Sequence, residues 1–125
     1  MRAVDTNVLV RALVQDEPAA ARRAQDLLRE HQVYVPVTVV LELEWVLRSR
    51  YGLAPAAIAQ ALAKLAALEN VVVGEHAAVV AAAGKMARGW DFADALHHAL
   101  ILMSVQVEIN YPRPCCQAEQ ILAIL

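Results

Sequence analysis

The chain has 125 residues, the length of one ordinary domain, and its 59% apolar fraction is enough to bury a core. A net charge of −2 excludes the strongly basic profile of a protein that coats DNA. No apolar run is long enough to span a bilayer, and with aromatics at only 5% the core must come largely from alanine-rich helices.

Ala3-Val4 is a short apolar run that Asp5 ends, which predicts a first strand with Asp5 at its carboxyl end. Asn7 to Val14 reads as a short helix. Pro18 then sits at a first helical position, where its missing N–H costs nothing, and helix continues through Glu30. In that helix Ala24, Leu27 and Leu28 face inward, while Arg22, Arg23 and Arg29 face outward. Val33-Tyr34-Val35 is a second strand stopped by Pro36. Thr38 is a candidate N-cap for a helix to about Arg50, closed by Gly52. Pro55 opens another helix to about Leu68. Asn70 precedes a third strand, Val71-Val72-Val73, which Gly74 ends.

A helix from about His76 to Ala87 is followed by Gly89, and another runs from Asp91 or Phe92 to about Met103. Val105 to Ile109 reads as a fourth strand. Asn110 to Cys116 is loop-like, and Ala118 to Leu125 suits a short helix. Strands alternating with helices indicate an α/β layer fold with a parallel sheet. Met1 to Val4 shows no signal-peptide pattern. The adjacent Cys115 and Cys116 offer neither zinc spacing nor a disulfide framework. The expected setting is therefore a reducing cytoplasm.

Three carboxylates stand out. Asp5 lies where open parallel sheets bind ligands, beyond the carboxyl end of a strand, with Thr6 and Asn7 placed to orient it; as an isolated residue it would equally cap the following helix. Glu42 shares a helical face with Val39, Trp45 and Val46, whereas Glu44 is about 200° around the helix and pairs with Arg48 at i, i+4. This predicts Glu44 on the wet face and Glu42 on the apolar side. There a carboxylate is unfavourable unless paired or metal-bound, unless Glu42 lies at the stripe's edge and reaches solvent. Asp91-Phe92-Ala93-Asp94 has the spacing of a capping box, yet two acids in one helical turn repel each other, and a cation would offset that. His97 and His98 follow one turn on without a zinc motif. Taken together, Asp5, Glu42 and Asp94 are hard oxygen donors of the kind that suit Mg²⁺ or Mn²⁺.

Three segments carry a resemblance: Val4 to Leu9, Val35 to Arg48 and Asp91 to His97. In this order they resemble the PIN-domain family, and more narrowly the VapC toxins of bacterial toxin–antitoxin pairs. The resemblance spans residues 1 to about 98. It implies a single PIN-like domain over 1–125: a Rossmann-like parallel sheet of about four to five strands flanked by helices. It also implies Mg²⁺- or Mn²⁺-dependent RNA cleavage leaving 5′-phosphate and 3′-hydroxyl ends, neutralisation by a VapB-like antitoxin whose helix lies in a groove, and a homodimer. By motif position, Asp5, Glu42 and Asp94 would form the acidic site, with Asp91 accessory and Thr6 and Asn7 supporting Asp5.

The stretch from about residue 99 onward departs from this pattern. Such proteins carry a late strand and a Thr-x-Asp-like turn that supplies a fourth acid. The corresponding Asn110-Tyr111-Pro112-Arg113-Pro114 holds no carboxylate, as a shifted reading frame at the end of the gene would produce. The alternative to an enzyme is therefore a catalytically impaired module that captures an antitoxin or RNA. A phosphoesterase for small molecules would need a glycine-rich phosphate loop, and the four glycines are scattered. Arg11, Arg48, Arg50, Lys85 and Arg88 are candidates for gripping the RNA backbone, against the ordinary role of solvated surface charge.

Overall fold

A computed structural model describes the backbone of residues 1–109 and the side chains of residues 1–104. The elements in chain order are β1 (Arg2–Ala3), α1 (Thr6–Val14), α2 (Pro18–Glu30), β2 (Val33–Val35), α3 (Val37–Ser49), α4 (Pro55–Ala67), β3 (Val71–Val73), α5 (His76–Met86) and α6 (Phe92–Ile109). The three strands pair in parallel in the order β1-β2-β3, with Ala3 opposite Tyr34 and Tyr34 opposite Val72. Two helices connect each strand to the next, as parallel pairing requires a crossover. The fold is α/β, a parallel sheet flanked by helices. Among the described residues the sheet has three strands, fewer than the four to five expected.

The core forms where the valines of β2 and β3 meet the apolar stripes of the helices. Val33, Val35, Leu9, Val40, Leu43 and Phe92 are all fully enclosed. β2 and β3 each alternate: their outer valines are buried, while Tyr34 and Val72 between them are exposed. At the carboxyl end of β3, a Cβ at Gly74 would stand 2.8 Å from the hydroxyl at the tip of the exposed Tyr34 side chain and 3.2 Å from the Val37 backbone nitrogen, so a side chain there would displace Tyr34 and crowd the start of α3.

Three expectations are corrected. The first concerns the start of α3. Pro36 occupies the N-cap position and Val37 is already helical, so Thr38 is not the cap. Pro36 supplies a fixed φ leading into the helix and has no N–H to satisfy.

The second is the orientation of α3. Its buried stripe is Val40, Leu43, Glu44 and Leu47, the i, i+3, i+4, i+7 pattern of one helical face. Glu44 is thus the inward carboxylate, only 4% exposed, and Glu42 is exposed. The face bearing Val39 and Val46 is only half-buried, and Trp45 is exposed. Because α3 is apolar on both sides, its sequence period does not decide which side turns inward. Arg48 makes the burial of Glu44 tolerable through a hydrogen-bonded ion pair at 2.9 Å.

The third is the proposed fourth strand, Val105 to Ile109, which continues α6 instead. No glycine, proline or asparagine interrupts 92–109. Ser104 donates its hydroxyl back to the Leu100 carbonyl at 3.0 Å and stays within the helix. The Asn110–Pro114 turn and the helix expected over Ala118–Leu125 lie outside the described residues. No helix among the described residues is long and apolar enough to cross a membrane.

Candidate functional site

Asp5 follows β1 by two residues and is the N-cap of α1. Its Oδ1 accepts a hydrogen bond from the Val8 amide at 3.1 Å, so the capping role read from the sequence is real. Capping uses one carboxylate oxygen, and the side chain remains exposed at the strand's carboxyl end.

Thr6 is buried, and its hydroxyl donates to Glu42 Oε2 at 2.8 Å. This bond spans 36 positions in the sequence and joins the start of α1 to the second turn of α3. Glu42 is therefore an exposed carboxylate held in place by a buried hydroxyl, beside the turn that presents Asp5. The hydroxyl of Thr6 serves Glu42 rather than Asp5. Asn7 is exposed on the first turn of α1.

Asp91 and Asp94 form a second acidic group at the start of α6. Asp91 Oδ2 accepts from the Asp94 amide at 3.0 Å, which is the first half of the capping box seen in the sequence. Both side chains are exposed. α6 packs on α3 as well as on α5, which brings Asp91 toward Arg48. The Arg48 guanidinium is held above its ordinary pKa first by the hydrogen bond to Glu44, then by the charge of Glu44, with the charge of Asp91 adding to both.

Two carboxylate groups are thus organised, Asp5 with Glu42 and Asp91 with Asp94. Among the described residues no three His, Cys, Asp or Glu side chains gather closely enough to hold a metal ion together. The donor chemistry of the two groups still fits a hard divalent cation, because each named donor is a carboxylate oxygen. This chain matches the PIN domain over residues 2–103, well over half its length.

It belongs to the PIN domain family.

PIN domains are in general metal-dependent nucleases, typically acting on RNA. No curated protein matches the chain, and no solved structure does. The match covers β1 through most of α6, so it includes Asp5, Glu42, Asp91 and Asp94.

The basic candidates are placed unevenly around this PIN domain. Arg11 and Arg88 are exposed, and Arg48 is committed to Glu44. Lys85 is drawn into a cluster that the sequence reading missed. Its ammonium lies 2.7 Å from His98 Nδ1 and 4.9 Å from the centre of the Trp90 ring. Trp90 and His98 have ring centroids 5.8 Å apart. His98 is one helical turn beyond Asp94, and that spacing was the available signal. Nothing in the spacing of Lys85 and Trp90 shows that the two side chains meet.

Proposed function

We propose that this PIN domain, read as a single domain over the whole chain, is an endoribonuclease that uses Mg²⁺ or Mn²⁺. The observation that carries this reading is the Thr6–Glu42 hydrogen bond, which ties the Glu42 carboxylate to the residue that follows Asp5. The two carboxylate groups do not form one cluster in the structure, so in this reading a bound ion would draw Asp5 and Glu42 together with Asp94, Asp91 being accessory. Bound there, the ion would supply Lewis-acid stabilisation of the phosphate and a water of lowered pKa.

The protein's own side chains have distinct tasks. Thr6 fixes the orientation of the Glu42 carboxylate, leaving its other oxygen free to accept a proton from an attacking water. Asp5 keeps its position through the Val8 amide, and Asp94 keeps its own through the Asp91 cap. Asn7, on the same exposed turn as Asp5, supports it through solvent or substrate contacts. Arg11 and Lys85 are the candidates that grip phosphates.

The narrower part of the proposal is a VapC-like toxin role in the cytoplasm, as a homodimer restrained by a VapB-like antitoxin. An apolar groove of about 180 Å³ between α1, α2 and α4 supports a helical partner. Leu9, Leu13, Leu28, Leu65 and Leu68 line it, and Arg29 and Lys64 offer cations to an acidic rim. The competing reading, a binding module without catalysis, is favoured by one observation: the segment Asn110–Pro114 carries no carboxylate.

The deciding experiment is cleavage of single-stranded RNA with Mg²⁺ or Mn²⁺, using EDTA and Asp5→Asn as controls. Asparagine keeps the helix cap and removes the charge. Cleavage lost in both controls supports the enzyme, and cleavage that persists in both removes it.

A further inference from the structure

Trp90 is a large aromatic side chain left 48% exposed, although it stands two residues before the start of α6 and next to Asp91 in the chain. Its placement is fixed by the backbone. The chain leaves α5 through Gly89 at φ +100, a left-handed conformation that favours glycine. The Gly89 amide donates to the Met86 carbonyl at 3.0 Å and the Trp90 amide to the Lys85 carbonyl at 3.2 Å. These two bonds form a Schellman motif, in which the side chain two residues past the cap packs against the last turn of the helix. Here that contact is Trp90 with Lys85, the ammonium 4.9 Å from the ring centre. His98 closes the cluster from α6. An ammonium can only donate, so the 2.7 Å contact is a hydrogen bond to Nδ1 in the imidazole tautomer that carries its hydrogen on Nε2.

The result is a rigid ring at the surface with a cation against it and an imidazole tilted 42° to it. Asp94 and His98 are four residues apart on α6 and so share a face. The cluster therefore adjoins the carboxylate group at the head of α6. A cation against an aromatic face next to acids that act on phosphodiesters suits one ligand class well: an unpaired nucleobase with its 5′ or 3′ phosphate. The base stacks on the indole, and the ammonium meets the phosphate charge. A duplex keeps its base faces stacked inside and offers none of them to the indole.

We propose that Trp90, with Lys85 and His98, is a stacking subsite for one unpaired base of the RNA, placed beside Asp91 and Asp94. The inference deepens the nuclease reading and rests on it for the identity of the ligand. Trp90 binds a base and takes no part in the bond-breaking step.

Binding and cleavage are measured separately so that the two readings can fail independently. In a Trp45→Phe background Trp90 is the sole tryptophan. A short mixed-sequence single-stranded RNA, titrated in EDTA, should quench its fluorescence saturably, and the same sequence as a duplex should not. Trp90→Leu should weaken binding of the single strand about tenfold. Trp90→Phe should retain most of the binding, because a ring remains. In Mn²⁺, Trp90→Leu should raise KM with little change in kcat, the signature of binding energy shared by ground and transition states. The leucine variant keeps an apolar side chain at a half-exposed position, and circular dichroism checks its fold.

Quenching without any cleavage would keep the subsite and remove the nuclease reading. Cleavage with no quenching, or with equal affinity of Trp90→Leu and the parent, would overturn the subsite and leave the nuclease reading standing. Equal quenching by the duplex would also overturn it, because charge alone would then be recognised.

Discussion

Two carboxylates two residues apart on α3 have opposite fates. Glu44 is buried, meets Arg48 at 2.9 Å and belongs to the packing between α3 and the rest of the core. Glu42 is exposed, yet a buried threonine from another helix holds it at 2.8 Å. A buried charge with a dedicated partner is explained by the fold alone. An exposed charge gains little from being held still, since water would solvate it in any orientation. The fixed exposed carboxylate is therefore the one that asks for a ligand. Burial by itself would have selected Glu44, and the hydrogen-bond partner selects Glu42.

This contrast can be broken at either end. The largest effect belongs to Glu42→Gln, which should lower the single-turnover rate of RNA cleavage by about 10²–10⁴-fold while leaving the urea midpoint unchanged. A fall in stability with cleavage intact would make Glu42 a structural residue after all. Next is Thr6→Val, which keeps the shape of the side chain and removes the donor. Its expected cost is about 10–100-fold in metal affinity or cleavage, and Thr6→Ser should recover most of it. Equal behaviour of valine and serine would show that the hydroxyl does not orient Glu42.

At the other end of the comparison, Arg48→Ala leaves the Glu44 carboxylate buried without its partner. The urea midpoint should fall with the m-value unchanged, and cleavage per folded molecule should stay at the parent rate. Glu44→Leu should cost less stability than Arg48→Ala, because an apolar residue in a buried position has no charge to compensate. The reverse order would place Glu44 in a wetter setting than the fold gives it. The smallest effect is expected from Asp91→Ala, which removes the cap of α6 and should cost about 1 kcal/mol by chemical denaturation. Asp91→Ser should restore that stability. If serine restores stability but not cleavage, Asp91 has a role at the site beyond capping.

Much of the fold was legible in the sequence because its punctuation is strong. Pro18 and Pro55 open helices, Pro36 and Gly74 end strands, and Gly89 turns the chain between α5 and α6. Short valine-rich runs bounded on both sides by such residues are too short for a helix and favour strands. Two things could not be read. The inward side of α3 was hidden because valines, leucines and a tryptophan surround the helix, so the choice fell to packing against α1, α4 and α6. The end of α6 was hidden because Val105, Val107 and Ile109 alternate with polar residues as in a strand, while no breaking residue separates them from the helix before.

The candidate site was legible as residue types and positions in the chain. Asp5, Glu42, Asp91 and Asp94 were all named from the sequence, and the capping roles of Asp5 and Asp91 were foreseen. The partner of Glu42 was not. A threonine hydroxyl 36 residues away leaves no local trace in the chain. The Lys85–Trp90–His98 cluster was missed for the same reason, since it depends on how the turn at Gly89 folds back.

The most direct test of the contrast on α3 is a calorimetric titration of Mn²⁺ into the parent protein, Glu42→Gln and Glu44→Gln, each shown to be folded. Saturable binding is expected for the parent and for Glu44→Gln, with a large loss of affinity in Glu42→Gln. Unaltered binding in Glu42→Gln, or a loss confined to Glu44→Gln, would contradict a metal-binding role for Glu42.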